Sequence, residues 1–377
     1  MSGTNSRMNV STRRRSAHGA RAMGAMRTPL LIVVVAFAAS MLISCTAGGR
    51  DGECGSSCSA CPNAKVAAKV REFHPYLNKK WIGNGISYGP YRDGQSPMGA
   101  QPTDAELRAD LQLLCKHWHM LRMYGSRGAT ERVVRIIHED NLPMRVMVGA
   151  WIASEFQMEN GQVVDRFPAA VEANHAEVET AIRLANEYPD VVIALSIGNE
   201  TLVDWTSHPV PPDKLIEYIR QARENTKVPV TTADDFSFWN RPESKRVADE
   251  CDFIVMHVYP MWWGRTIDQA MPFTQGKYAE VKALHPDHQI VIGEAGWATK
   301  KHVEGEQAKL MAGVAGEPEQ DRYYHEFVAW TTKERIANFY FSAFDENWKG
   351  GAHPDEVEKH WGLFNADRTP KQAIAEK

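Results

Sequence analysis

The 377-residue sequence predicts an α/β fold, a (β/α)8 barrel, and three observations carry that expectation. From Trp81 onward, short segments rich in β-branched and apolar residues alternate with amphipathic segments of helical spacing. Eight such alternations fit without an internal repeat, and a barrel of this kind commonly takes about 250 residues as one domain. The strand candidates also end in polar, aromatic and acidic residues, at the rim where barrel enzymes carry their chemistry.

Two segments of different character precede the barrel. Residues 1–44 are expected to be an export signal, with "RRRSAHGARAMGAMRT" as a basic leader and "PLLIVVVAFAASMLIS" as an apolar run of about 16 residues, few for a full membrane span. Cys45 follows at once, and Leu42-Ile43-Ser44-Cys45 resembles a bacterial lipobox. The expectation is therefore acylation of Cys45 and an exported, membrane-anchored lipoprotein at an outer membrane or cell surface. An uncleaved signal anchor and a twin-arginine signal are the competing readings. Residues 45–64 are rich in Gly, Ser and Cys without periodicity and read as a flexible tether, leaving residues 65–377 for the folded domain. Cys54, Cys58 and Cys61 have the C-x3-C-x2-C spacing of radical-SAM clusters, but they precede every strand. In an oxidising compartment they read as tether cysteines, paired or free. Cys115 and Cys251 are expected to be buried thiols.

The strand candidates in order are 81–88, 119–124, 143–151, 192–199, 228–233, 253–259, 289–296 and 337–344. Residues 104–118, 130–140, 173–188 and 213–226 carry the helical pattern between the earlier strands. The strand ends then define a rim. Strand one runs into "SYGPYRDGQSP", strand two ends at Arg122-Met123-Tyr124 and strand three at Trp151. Strand four ends at Asn199-Glu200 and strand five near Asp234-Asp235. Strand six ends at His257 and Tyr259, strand seven at Glu294 and Trp297, and strand eight at Asp345, Glu346, Trp348 and Lys349. Two glutamates on strands four and seven, each among glycines and small residues, stand out from ordinary loop charges. The net charge is −4, and residues 1–44 hold six arginines and no acid, so the remainder is more acidic than the whole. That balance argues against a nucleic-acid partner.

"ALSIGNE" and "VIGEAGWAT" resemble the acid/base and nucleophile motifs of glycoside hydrolase family 17, a β-1,3-glucanase family of retaining (β/α)8-barrel glycosidases. "FSAFDENWKGG" and "EKHWGLFNADRTPK" are similar to that family's last-strand signatures, and the likeness spans about residues 81 to 370. "GEAGWAT" departs from the plant form at Ala295 and Ala298, which weakens any transfer of plant substrate preference. The resemblance implies Glu200 as acid and base, Glu294 as nucleophile, Asn199 as donor to the sugar 2-hydroxyl, and Tyr259 as the tyrosine that orients the nucleophile. It also places Glu346, Lys349 and Glu358 as binding or bracing groups near the acid/base.

The chemistry supports the same assignment. Glycoside cleavage with retention needs one carboxylic acid at the leaving oxygen and one carboxylate on the opposite face of the sugar, about 5–5.5 Å apart. Strands four and seven face each other across a barrel mouth. Burial and the Glu294 charge are expected to keep Glu200 protonated until needed. Trp297, Trp348, Trp262, Trp263 and Trp205 can stack on the apolar faces of sugars, with packing in core or loop as the equal alternative for each. Tyr124 ends strand two within the same mouth, and Asp93 and Arg122 are further candidates. No metal-ligand spacing occurs among the 14 histidines, no cofactor is needed, and His257 is expected to be a hydrogen-bonded rim residue. The expected function is a monomeric retaining glycosidase of the glucan β-1,3-glucosidase type, acting on β-glucan polysaccharide or oligosaccharides. Two readings compete: a β-1,3-glucan transglycosylase on the same site, and a non-catalytic surface glucan-binding barrel.

Overall fold

The computed structural model describes residues 70–159 and 162–375. The expected export signal, Cys45, and the tether with Cys54, Cys58 and Cys61 lie outside those residues. No described helix is long and apolar enough to cross a membrane.

Eight parallel strands close into a barrel in chain order: β1 (Asn84–Ser87), β2 (Met120–Met123), β3 (Arg145–Ala150), β4 (Val192–Asn199), β5 (Val230–Asp235), β6 (Ile254–His257), β7 (Ile290–Ala295) and β8 (Asn338–Tyr340). Helices α1 (Asp104–Leu114), α2 (Ala129–Glu139), α3 (Pro168–Glu187) and α4 (Pro212–Asn225) follow the first four strands. Local chemistry sets their starts. Thr103 and Glu106 form a reciprocal capping box at α1, and Pro168 and Pro212 open α3 and α4, where a missing N–H costs nothing. The long helices α7 (Ile267–Leu284) and α9 (Glu317–Glu334) cover the later strands.

The eightfold alternation is imperfect in two places. Between β5 and β6 the one-turn helices α5 (Phe236–Trp239) and α6 (Lys245–Ala248) form, with a 3-10 turn at Pro242–Ser244 between them, and α8 (Gly305–Leu310) is a short insertion before α9. After β8 the described chain has 3-10 turns at Val357–Lys359 and Gln372–Ile374 and no eighth helix. The segment after β8 is rich in Gly, Pro and His without an apolar period of 3.6, so nothing in it drives a helix. Two hairpins absent from the sequence expectation also occur, Tyr76–Leu77 with Lys80–Trp81 and Phe156–Glu159 with Gln162–Arg166.

Two apolar cores hold the fold. Between strands and helices, Leu107 and Leu111 of α1, Val133 and Ile136 of α2 and their neighbours pack on Leu121, Val146 and Ile197. Inside the barrel, Met120, Met147, Ala194, Val255, Val291 and Phe339 surround Phe73 and Phe253, whose rings stack at 4.8 Å. Arg71 ties the segment bearing Phe73 to Asp252 at 2.7 Å, and Asp252 also takes Arg223 at 2.8 Å. The N-terminal end of the barrel is thus closed by aromatic packing and a buried ion cluster. Cys251 is buried as expected, whereas Cys115 is only half-buried, because it follows the last turn of α1.

Candidate active site

Strand alternation alone would turn neighbouring residues to opposite faces. Two bulges override it at the ends of β4 and β7. Against β5, Ser196 pairs with Thr231 and Asn199 with Ala233, so β4 carries one extra residue. Against β8, Ile292 pairs with Asn338 and Ala295 with Tyr340, and the β6 register shifts likewise between Ile292 and Glu294. Such insertions re-aim side chains at the rims of barrels. The β4 bulge needs Gly198 at φ +81°, and Glu200 itself sits at φ +50° with its N–H donating to Ala233 O at 2.9 Å.

The result brings Glu200 and Glu294 together over the barrel mouth. One carboxylate oxygen of each and a nitrogen of His257 all lie within 4.8 Å of one another. Glu294 is 6% exposed and Glu200 30% exposed, so it is Glu294 that burial seals most tightly. Arg122 Nη1 donates to Glu294 Oε1 at 2.6 Å, and the Tyr259 hydroxyl donates to Oε2. Burial alone would raise this carboxyl. The neighbouring His257 imidazole, the Arg122 charge and the hydrogen bonds from Tyr259 and Arg122 outweigh it and hold Glu294 down at about 2. Arg122 Nη2 donates to Asn199 Oδ1 at 2.5 Å, and its guanidinium lies over the Tyr124 ring at 4.6 Å. Arg122 was a marginal candidate in the sequence; in the structure it is the buried hub of the site.

Glu200, His257 and Glu294 could also be read as a cation site by distance. Their strands are far apart in sequence, which is why no ligand spacing announces them. Both oxygens of Glu294 already accept donors from the protein, an arrangement suited to a preserved anion.

A second group lies beside the pair. Glu346 accepts from Lys349 Nζ at 2.7 Å and from Trp348 Nε1 at 2.9 Å, and Lys349 lies 4.7 Å from the Phe341 ring centre. Glu358 accepts from Trp262 Nε1 at 3.2 Å. Burial pushes Glu358 up to about 7, with the charges of Glu200 and Glu294 adding to the rise and Lys349 opposing it. Tyr91 meets Trp348 edge-on, and Asn347 donates to Asp93 at 2.6 Å.

The aromatic candidates divide. Trp205, 55% exposed, meets the exposed Trp263 edge-on, and Trp348 is also exposed. Trp297 is a correction: it is fully buried against Tyr323, its Nε1 donates to Val314 O at 2.9 Å, and no face is open to a sugar. Asp345 likewise belongs to a buried cluster, with Lys371 at 2.7 Å and His360 at 3.4 Å. Of the β5 acids, Asp234 Oδ2 takes the Leu202 N–H at 2.8 Å and so holds the chain just past Glu200, while Asp235 takes the Ser237 N–H and starts α5. Trp151 stacks on His208 at 4.6 Å, and His208 Nε2 lies 2.9 Å from Asn199 O. His208 carried no signal in the sequence, since it sits in an aperiodic Pro-rich loop.

A model described as the BtgE/BtgC glycoside hydrolase domain matches residues 85–362. Glucan 1,3-beta-glucosidase of Arthroderma benhamiae is 24% identical over 302 residues, which cover 76% of this chain and 88% of that protein. Some relatives are longer, and the chain spans 42% of a glucan endo-1,3-beta-glucosidase of Emericella nidulans. Among solved structures, an endo-laminarinase from Formosa Hel1_33_131 is 27% identical with a TM-score of 0.68, covering 79% of this chain and 88% of its own. The glycoside hydrolase family 17 β-1,3-glucanosyltransferase from Rhizomucor miehei is 25% identical with a TM-score of 0.61, covering 77% and 96%.

Proposed function

The chain belongs to the BtgE/BtgC glycoside hydrolase family, and from that premise we propose that it is a retaining enzyme acting on β-1,3-glucan, with Glu294 as nucleophile and Glu200 as acid and then base. The observation that carries this reading is the Glu200–Glu294 pair itself, with carboxylate oxygens within 4.8 Å across the barrel mouth. Retaining glycosidases hold their carboxyl groups about 5–5.5 Å apart, and inverting ones about 6.5–9.5 Å.

Each neighbour then has work to do. Arg122 and Tyr259 keep Glu294 ionised and aimed at the anomeric carbon, so no proton need leave before attack. Arg122 can only donate, so it claims Asn199 Oδ1 and turns the Asn199 amide nitrogen toward the sugar 2-hydroxyl. Glu200, more open to solvent, gives its proton to the leaving oxygen and later takes one from water. Trp348, Trp205 and Trp263 offer exposed rings to further sugar units, and Tyr124 lines the mouth beneath Arg122. The glucan substrate is supported by the names of the relatives and by the laminarinase and glucanosyltransferase likenesses.

Product analysis on laminari-oligosaccharides tests the reading. We expect shorter products whose first-formed reducing ends keep the β configuration. Longer products would make water the lesser acceptor and the enzyme a glucanosyltransferase, an outcome the Rhizomucor miehei likeness keeps in view. Binding without any product would leave a surface glucan-binding barrel. We further propose export and acylation at Cys45, supported by the lipobox-like quartet, and action of the barrel as a monomer. Cys45→Ala should move the protein from the detergent phase to the aqueous phase. A wild type that already partitions to water in its own host removes the anchor.

A further inference from the structure

His257 stands on β6 between the two glutamates, and its two nitrogens face them separately. Nδ1 lies 3.0 Å from Glu200 Oε1, and Nε2 lies 3.5 Å from Glu294 Oε1. The ring is fully buried, and Nε2 has no hydrogen-bond partner among the described residues. A slot is built for it: a Cβ on Gly293 would come within 3.1 Å of the imidazole Cδ2 and 2.3 Å of Val255 Cγ1. The bulge that turns Glu294 inward therefore also clears the space His257 occupies. The charged and titratable groups facing the ring are Glu200 from β4, Asp235 from β5 and Glu294 from β7, with Arg122 of β2 behind Glu294.

We propose that His257 is a positioning residue that couples the protonation of the two glutamates: neutral, with its hydrogen on Nε2 toward ionised Glu294, it presents the Nδ1 lone pair to Glu200 and so selects the protonated acid. This rests on the glycosidase reading above. A neutral imidazole has one donor and one acceptor nitrogen. With the donor turned to the nucleophile carboxylate, a lone pair at 3.0 Å from Glu200 is matched only by a carboxyl O–H. An imidazolium would instead donate to both glutamates, hold both ionised and leave no acid for the first step.

The same ring serves the second step. As the glycosidic C–O bond breaks, the Glu200 proton passes to the leaving oxygen while a Glu294 oxygen bonds the anomeric carbon. Glu200, now a carboxylate, faces the Nδ1 lone pair, a contact that is relieved when it takes a proton. The incoming water supplies that proton, its oxygen bonds the anomeric carbon, and Glu294 leaves as the carboxylate. Ring and glutamates return to their starting states.

The tautomer can be read in the wild type by ¹⁵N-imidazole NMR at the pH of activity, where a neutral Nε2–H ring is expected and an imidazolium or an Nδ1–H ring overturns the proposal. Variants test the consequence. His257→Leu should lose about 10–100-fold on laminari-oligosaccharides, whose leaving group needs the proton, but at most a few-fold in the burst phase with 2,4-dinitrophenyl β-laminaribioside, whose leaving group does not. His257→Gln, which can turn a donor to one glutamate and an acceptor to the other, should recover part of the loss, and the alkaline limb of kcat/KM should move by about one pH unit between the two variants. Equal losses on both substrates with an unmoved pH profile reduce His257 to packing. Failure of the wild type to cleave any laminari-oligosaccharide would instead strike the glycosidase reading, so the two failures are distinguishable.

Discussion

At the N-terminal end of the barrel, Phe73 stacks on Phe253 and the Arg71–Asp252–Arg223 cluster seals the outside, so the rings are packed and the charges paired. At the C-terminal end the same strands bulge twice, Glu200 takes a positive φ, and His257 Nε2 is buried without a hydrogen-bond partner among the described residues. Eight strands thus supply a stable end and a strained one. The contrast shows where the fold spends its packing energy and where it gives it up to bring three ionisable side chains within 4.8 Å.

The contrast predicts that damage at the two ends has different symptoms. The largest effect belongs to Glu200 and Glu294, the proposed catalytic pair. Glu294→Ala and Glu200→Ala should each lower turnover of glucan by about 10²–10⁴-fold or more; Glu200→Ala, at a more exposed position, should leave Tm nearly unchanged, whereas Glu294→Ala also strips buried Arg122 of its carboxylate and should lower Tm. Azide separates their roles: with an activated β-glycoside, Glu294→Ala should give the α-glycosyl azide by one inversion and Glu200→Ala the β-glycosyl azide by two. The opposite stereochemistry would exchange the roles, and near-normal turnover in either variant would break the comparison. At the other end, Phe73→Ala removes a fully packed ring and should cost about 3–5 kcal/mol in denaturant unfolding with kcat unchanged. A fall in kcat with intact stability would mean that the two ends are mechanically coupled.

Gly293→Ala probes the seam between the ends. Its added Cβ meets the stiff Val255 side chain at 2.3 Å, so overpacking of about 1–3 kcal/mol should appear together with a loss of activity as His257 shifts. The smallest effect is electrostatic and depends on pH. Glu358 in the folded chain lies at about 7, above its ordinary value of 4.5, so the unfolded chain ionises first as pH rises. Stability is unaffected below about 4.5, falls between 4.5 and 7, and then stays reduced. Glu358→Gln should therefore match the wild type at pH 4 and exceed it at pH 8 by about 5 °C in Tm, as measured by scanning calorimetry; an equal gap at both pH values refutes the assignment. Glu294 has the opposite sign: its folded value of about 2 adds stability above 4.5 that is lost as pH falls from 4.5 toward 2.

Much of this was legible from residues alone. The β4 segment 192–199 matches its observed strand residue for residue, and all eight barrel strands fall within or overlap their expected segments. Motif and strand position point to Glu200, Glu294, Asn199 and Tyr259, and the structure brings these four to one mouth. The missing eighth helix, the two hairpins and the burial of Trp297 were not. Trp297 follows a catalytic strand just as a sugar platform would, and only the packing of Tyr323 against it shows that its faces are closed.

By itself the sequence determined what repeats locally: strand and helix periods, capping at Thr103, the Pro starts of α3 and α4, and the glycines beside each catalytic glutamate. Those features depend on neighbours a few residues apart, so a linear reading can see them. Tertiary structure alone decided that Arg122 from β2 would grip both Glu294 and Asn199, and that His257 from β6 would fall between Glu200 and Glu294. These contacts join residues 37 to 172 positions apart, and they exist because barrel closure and two one-residue bulges bring the ends of β2, β4, β6 and β7 to a single point.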